Sequence, residues 1–203
     1  KMLFIAILII ILGASGVLIL IKSKSSAPKN SQQTGKTIHS AQPKAQQPGL
    51  TKYINKENKF TLQYPEELKV TEKSVGLGVS TVELRSEVNL NEEYLADIQM
   101  MTIPKYLAKT IGQDFDEYYN MSDNTSKTIT AEDQSRVITK VKNRTINNNR
   151  AFEFKSSDGS GQEEENPTIG VYIEIGDKII IISTQEDNRE ELEEMLSNFQ
   201  YTP

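Results

Sequence analysis

The side chains of this chain that could do chemistry are almost all carboxylates: 28 Asp and Glu, against one His and no Cys. The single histidine, His39, sits in a polar stretch far from any core-forming pattern. A Ser-His-Asp triad, a Cys-His pair and an HExxH zinc site therefore cannot be assembled in the folded part, and hydrolysis by those routes is excluded. The absence of cysteine removes disulfides, thiolate nucleophiles and sulfur metal ligands together. What remains for acid-base work is a pair of carboxylates, one donating a proton and one accepting it. No pair is set apart by its context, so no catalytic residue is assigned.

The run DGSGQEEE, residues 158–165, brings together Asp158, Glu163, Glu164 and Glu165, whose oxygens could hold a hard cation. It lacks the alternating ligands and closing glutamate of an EF-hand, and a solvated hairpin loop is the simpler reading. Glu190, Glu191, Glu193 and Glu194 read as the solvated, N-terminal face of a helix. Gly76-Leu77-Gly78 has threonine at position 81, where a dinucleotide fingerprint needs its third glycine, and no GxxxxGK loop occurs. Ser26-Ala27-Pro28-Lys29 matches SxxK by chance in a polar linker. No cofactor is expected. The eight tyrosines do not interleave with basic residues in the manner of a nucleic-acid surface.

Three segments must position whatever site exists. Residues 2–21 (MLFIAILIIILGASGVLILI) carry no charge; at about 1.5 Å per residue they make a helix of roughly 30 Å, enough to cross a bilayer. The expectation is an uncleaved single-span anchor in lipid rather than a cleaved signal, whose apolar core is shorter and ends at small residues. Residues 22–51 are rich in Ser, Gln, Pro and Lys, lack aromatics and carry a charge of +5. Such a segment buries too little to offset its ordering entropy and reads as a disordered linker reaching about 30 Å. Residues 52–203 carry −11, from 17 Lys and Arg against all 28 acids. That balance argues against a nucleic-acid partner and against flat docking on anionic lipid.

Within 52–203, residues 59–64 (KFTLQY) alternate Phe60, Leu62 and Tyr64 on one face, and strands 68–73, 79–85 and 94–103 continue as a meander. Asp114 opens a short helix with Glu117 completing a capping box and Phe115, Tyr118 and Tyr119 on the inner face. After a polar stretch at 121–134, strands 137–145 and 150–156 flank a turn at Asn147-Asn148-Asn149. The clearest signal is TIGVYIEI and KIIIISTQ around Gly176-Asp177, a two-residue hairpin loop. Because Ile179, Ile180, Ile181 and Ile182 are all apolar, both faces of that strand must be covered. A last helix, 188–199, with Asp187 as its cap, turns Leu192, Met195, Leu196 and Phe199 inward.

The opening YINKENKFTLQYP (53–65), the middle NRAFEF (149–154) and the closing MLSNFQY (195–201) resemble PsbP-like domains of membrane-anchored bacterial proteins. That resemblance, over residues 52–203, implies an α+β fold: an α/β/α sandwich on a central antiparallel sheet, related also to Mog-type Ran-binding proteins. The tryptophan often found shortly after Tyr-Pro in that family has no counterpart, since the chain has none. Plant members assist the oxygen-evolving complex, and no residue matches that role, so no site is carried over. Lys22, Lys24 and Lys29 outnumber Lys1 and by the positive-inside rule would hold the domain in the cytoplasm. The resemblance implies the opposite, extracytoplasmic placement at the cell membrane, and that is the expectation. The expected function is non-enzymatic binding or scaffolding of an unidentified protein partner; a two-carboxylate hydrolase and a cation-binding domain are the competing readings.

Overall fold

The four consecutive isoleucines 179–182 lie on the central strand of a large sheet and are all buried, no more than 8% exposed. The computed structural model describes residues 49–86, 97–131, 134–159 and 166–202. Eleven strands are described: β1 (Leu50–Asn55), β2 (Phe60–Pro65), β3 (Lys69–Gly76), β4 (Val79–Arg85), β5 (Ile98–Pro104), β6 (Ser126–Ala131), β7 (Gln134–Ile146), β8 (Asn149–Asp158), β9 (Thr168–Ile175), β10 (Lys178–Gln185) and β11 (Gln200–Tyr201). The helices are α1 (Lys105–Thr110), α2 (Phe115–Asn120) and α3 (Arg189–Ser197), the last preceded by a 3-10 turn, Glu186–Asn188. β3 to β10 form an eight-stranded sheet in the order β3-β4-β5-β10-β9-β8-β7-β6; β1, β2 and β11 form a second sheet of three. Every neighbouring pair is antiparallel.

Turn chemistry sets the registers. Gly176 has φ +56, which a II′ hairpin needs at its first central position, and it closes β9 on β10 with Lys178 opposite Ile175. Asn147 and Asn148 both have positive φ, a I′ turn, so the β7–β8 loop is two residues long and Asn149 already belongs to β8. β7 carries a bulge between Lys140 and Lys142. Its consequence is a change of side: Ile138 packs under α1 and α2, whereas Ile146, an even number of residues on, packs on the opposite face.

The large sheet buries both faces. On one, Val82, Leu84, Ile98, Met100, Val171, Ile173, Ile180 and Ile182 meet Leu192, Met195 and Leu196 of α3, with Tyr53, Phe60, Leu62 and Tyr64 of the small sheet. On the other, Met101, Ile103, Phe152, Tyr172 and Ile179 meet Leu107 and Ala108 of α1 and Phe115 and Tyr118 of α2. An antiparallel core with covered faces is thus present, but it is more β-rich than an α/β/α sandwich: the α3 side is shared with a three-stranded sheet.

Several expectations are corrected. β6 occupies part of the polar stretch 121–134, to which no element was assigned, and Ile129 is the only large apolar residue of its SKTITA. Pro104 closes β5 as expected, but the chain then continues directly into α1, a helix the sequence reading does not contain. β1 starts at Leu50, and its outer residues Leu50 and Ile54 are exposed, so alternation is masked. Asp114 does cap α2, accepting from the Asp116 N–H at 3.1 Å, but Glu117 does not return the bond; its carboxylate takes the Lys127 ammonium at 2.6 Å. Asp187 does not cap α3: Asn188 holds that position, and Asp187 accepts from Asn166 Nδ2 at 3.0 Å. Among the described residues no helix is long and apolar enough to cross a membrane; the expected anchor, residues 2–21, lies outside them, as do residues 22–48 of the expected linker, 22–51, whose last two residues, Leu50 and Thr51, belong to β1 instead.

Candidate functional site

Helices α1 and α2 have six residues each, so each spans only about 9 Å. They cover the part of the sheet beneath Phe152 and Ile179 and stop there. Beyond them the same face runs on to polar ends. β5 reads Gln99, Met101, Ile103 toward the helices; β10 reads Ser183, Ile181, Ile179; β8 reads Ser156, Phe154, Phe152; β7 reads Arg136, Ile138. Cross-strand partners lock these into rows: Gln99 opposite Ser183, Ser183 opposite Gly170, and Thr168 opposite Ser156. The sheet thereby collects hydroxyls, amides and one guanidinium at one end of an otherwise apolar face.

These groups line a cavity of about 30 Å³ whose walls are Met101, Ile138, Phe154, Tyr172 and Ile181 and whose polar groups are Gln99, Gln113, Arg136, Ser156, Thr168 and Ser183. Arg136 is buried and donates from Nη1 to Ser156 Oγ at 3.1 Å. Tyr172 donates its hydroxyl to Gln113 Oε1 at 3.1 Å, so Gln113 keeps its NH2 as the donor end. Gln113 is itself held by its backbone N–H on Ala108 O at 2.8 Å, past the turn at Gly112 that ends α1. Burial pushes the Tyr172 hydroxyl pKa up, Tyr118 adds to the rise, and Arg136 opposes it; the phenol stays protonated and donating at neutral pH. Gly170, between Ser183 and Phe154 in the sheet, leaves no room for a side chain, because a Cβ there would meet Ile182 O at 2.3 Å and the Phe154 ring at 2.7 Å.

The helix-covered end of the face is charged but saturated. Arg150 pairs with Glu174 at 2.6 Å and Asp116 at 2.7 Å and lies over the Phe115 and Tyr119 rings at 5.4 and 4.9 Å. Glu174 also takes the Lys105 ammonium, and these cations hold its carboxyl below the usual range, Arg150 foremost. Lys140, 2% exposed, donates to the carbonyls of Tyr119 and Met121 and pairs with Asp123, supplying the positive charge that the end of α2 lacks. On the opposite face Arg144 forks onto Glu193 of α3 with two bonds of 2.8 Å, and a third of 2.7 Å reaches Glu153. Glu193 is therefore a clamp between sheet and helix rather than a purely solvated charge.

Of the candidate cation ligands, Asp158 is exposed at the end of β8, while Glu163, Glu164 and Glu165 lie outside the described residues. Among the described residues no three His, Asp or Glu side chains gather as a metal site would require. Asp158 is instead the register partner of Arg136, which lines the polar cavity. The cavity residues themselves went unread, because each polar residue ends a different strand and only the fold puts those ends together. The available signal was the interruption of an inward apolar period by Ser156 after Phe152 and Phe154, and by Ser183 after Ile179 and Ile181.

No protein-family model matches the chain, and no curated protein matches it. Among solved structures it is similar to the solution structure of cyanobacterial PsbP (CyanoP) from Synechocystis sp. PCC 6803, at 14% identity over 81% of this chain and 99% of that one, with a TM-score of 0.43.

Proposed function

We propose that the folded part is a non-enzymatic, PsbP-like binding module, held at the extracytoplasmic face of the cell membrane by residues 2–21 through the linker and serving an envelope partner or ligand. The observation that supports it is the polar cavity beyond α1 and α2, whose donors are held by the scaffold and whose lining residues include no acid. Pockets of this kind, apolar walls with a few convergent polar groups, are where ligands are recognised. The two-acid hydrolase needs a carboxyl whose pKa is raised so that it can donate at neutral pH. Among the described residues, the carboxyls displaced from their ordinary values, Asp114, Glu174, Glu186 and Glu193, all move down, each toward a neighbouring Lys or Arg. Such acids remain ionised and serve as anchors.

Two measurements test the reading on the full chain in cells. Protease added to spheroplasts should cut the folded part, and protection would overturn the outward placement. A photo-crosslinking residue at Gln99, on the cavity rim, should give a discrete adduct that the same probe at Leu77, on the far hairpin, does not. Equal adducts from both positions would refute a site at the cavity.

A further inference from the structure

We infer that the open edge of β1 is a docking site for an extended protein segment, which adds a strand to the small sheet and carries an acid between two apolar residues at alternate positions. The inference does not depend on the cavity, which lies on the opposite face of the large sheet. Its first ground is backbone geometry. β1 pairs only with β2, in the order β1-β2-β11. The Glu66 N–H donates to Gly49 O at 2.8 Å, just beyond the Leu50–Pro65 register pair. Hydrogen-bonded positions of an antiparallel pair recur at every second residue. Thr51, Tyr53 and Asn55 therefore bond to β2, while Leu50, Lys52 and Ile54 turn N–H and C=O away from it. Such a row of open backbone groups is the template to which another strand adds.

The second ground is the side chains of the same residues, which alternate with the buried Tyr53 and Asn55 and so share the outer face. Leu50 is 40% and Ile54 54% exposed, with Lys52 exposed between them. Among the described edge strands of the large sheet, neither resembles this. β3 carries Lys69, Glu72 and Lys73 and a bulge between Ser74 and Gly76, and β6 exposes Ser126, Thr128 and Thr130. Charges and bulges keep a further strand from an edge; β1 has one charge and two exposed apolar residues. The third ground is that charge. Lys52, Lys56 and Lys59 stand along β1 and its turn against Glu57 alone, a basic strip on a folded part of −11. Lys105, Lys127, Arg150 and Lys155 are each held by an acid, whereas Lys52 forms no ion pair among the described residues. An acid opposite Lys52, with apolar residues opposite Leu50 and Ile54, completes every cross-strand pair. A second copy of the chain does not, because the twofold register that pairs all three residues sets Lys52 against Lys52.

The test is a titration of the full chain in detergent micelles with the end-capped peptide TVTETVT, whose pattern reads alike in both directions, following backbone ¹⁵N–¹H signals and amide hydrogen exchange. Saturable shifts at Leu50, Lys52 and Ile54, and none at Thr128 on the β6 edge, are the expected result. At saturation the exchange of those three amides should slow by about tenfold or more. The peptide TVTKTVT should bind about fivefold more weakly, since an opposite-charge pair becomes a like-charge one. Lys52→Glu should reverse that preference. Ile54→Thr should weaken both peptides by about threefold, through lost apolar contact. Both substitutions fall on exposed positions and should leave the melting temperature unchanged. Equal affinity for the two peptides, equal shifts at Thr128 and Lys52, or a response that never saturates would overturn the inference. So would a dimer whose Leu50, Lys52 and Ile54 amides exchange slowly without peptide, since a second copy would then hold the edge.

Discussion

Tyr118 offers the sharpest test of how the α2 side of the core is built. Its side chain is fully buried, and its hydroxyl has no hydrogen-bond partner. The ring is well placed, stacked on Phe152 at 5.8 Å and on Tyr172 at 6.5 Å, with the Lys127 ammonium 5.5 Å from its centroid. Tyr118→Phe keeps the ring and removes only the stranded oxygen. An unmade hydrogen bond of a buried polar group costs about 1–3 kcal/mol, and the small void left by the oxygen returns a few tenths. The net expectation is a gain of about 1 kcal/mol, or roughly 2–4 °C in Tm for a domain of this size. Urea unfolding should show a higher midpoint with an unchanged slope. The alkaline side gives a second readout. Burial, and then Glu117, raise the Tyr118 pKa above its unfolded value, so stability falls as pH climbs past the unfolded value of about 10 toward the folded one. Tyr118→Phe should make that decline shallower. A loss of more than about 0.5 kcal/mol on substitution would show that the hydroxyl does have a partner, and would refute the reasoning.

Further expectations follow from individual positions. Gly170→Ala should destabilise by about 2 kcal/mol or more, since the new methyl meets the backbone oxygen of Ile182, which cannot rotate away; a near-neutral urea midpoint would contradict the close approach. Leu77 sits at φ +54 in the β3–β4 hairpin, a conformation asparagine adopts more cheaply. Leu77→Asn should raise stability by about 1 kcal/mol, and an unchanged or lower Tm would count against the turn assignment. The depressed pKa values of Glu174, Glu186 and Glu193 mean that their contributions are present above the unfolded glutamate value of about 4.3 and are lost as pH falls below it. Glu174→Gln should therefore flatten the acid limb of a stability–pH curve, and an unchanged limb would show that the Arg150 and Lys105 pairs contribute nothing.

Local pattern decided the elements whose information is local. The β9–β10 hairpin was legible because Gly176-Asp177 interrupts two β-rich runs, and the isoleucines of β10 required cover on both faces whatever the topology. Phe115 and Tyr118 on α2, and Leu192, Met195 and Leu196 on α3, were legible from helical spacing. Composition likewise ruled out histidine and cysteine chemistry in the folded part, since those residues are not there to be arranged. What no local pattern could specify was the order of strands, and with it the site. Arg136, Ser156, Thr168, Ser183 and Gln99 come from five strands spread over 85 residues in sequence numbering, and each alone reads as a strand end. Antiparallel pairing places those ends in adjoining rows, the bulge in β7 turns Ile138 and Arg136 to the helix side, and two six-residue helices are too short to cover the result. Periodicity determines which residues turn inward; only pairing across the sheet decides which inward residues become neighbours, because strand contacts are set by register between distant segments.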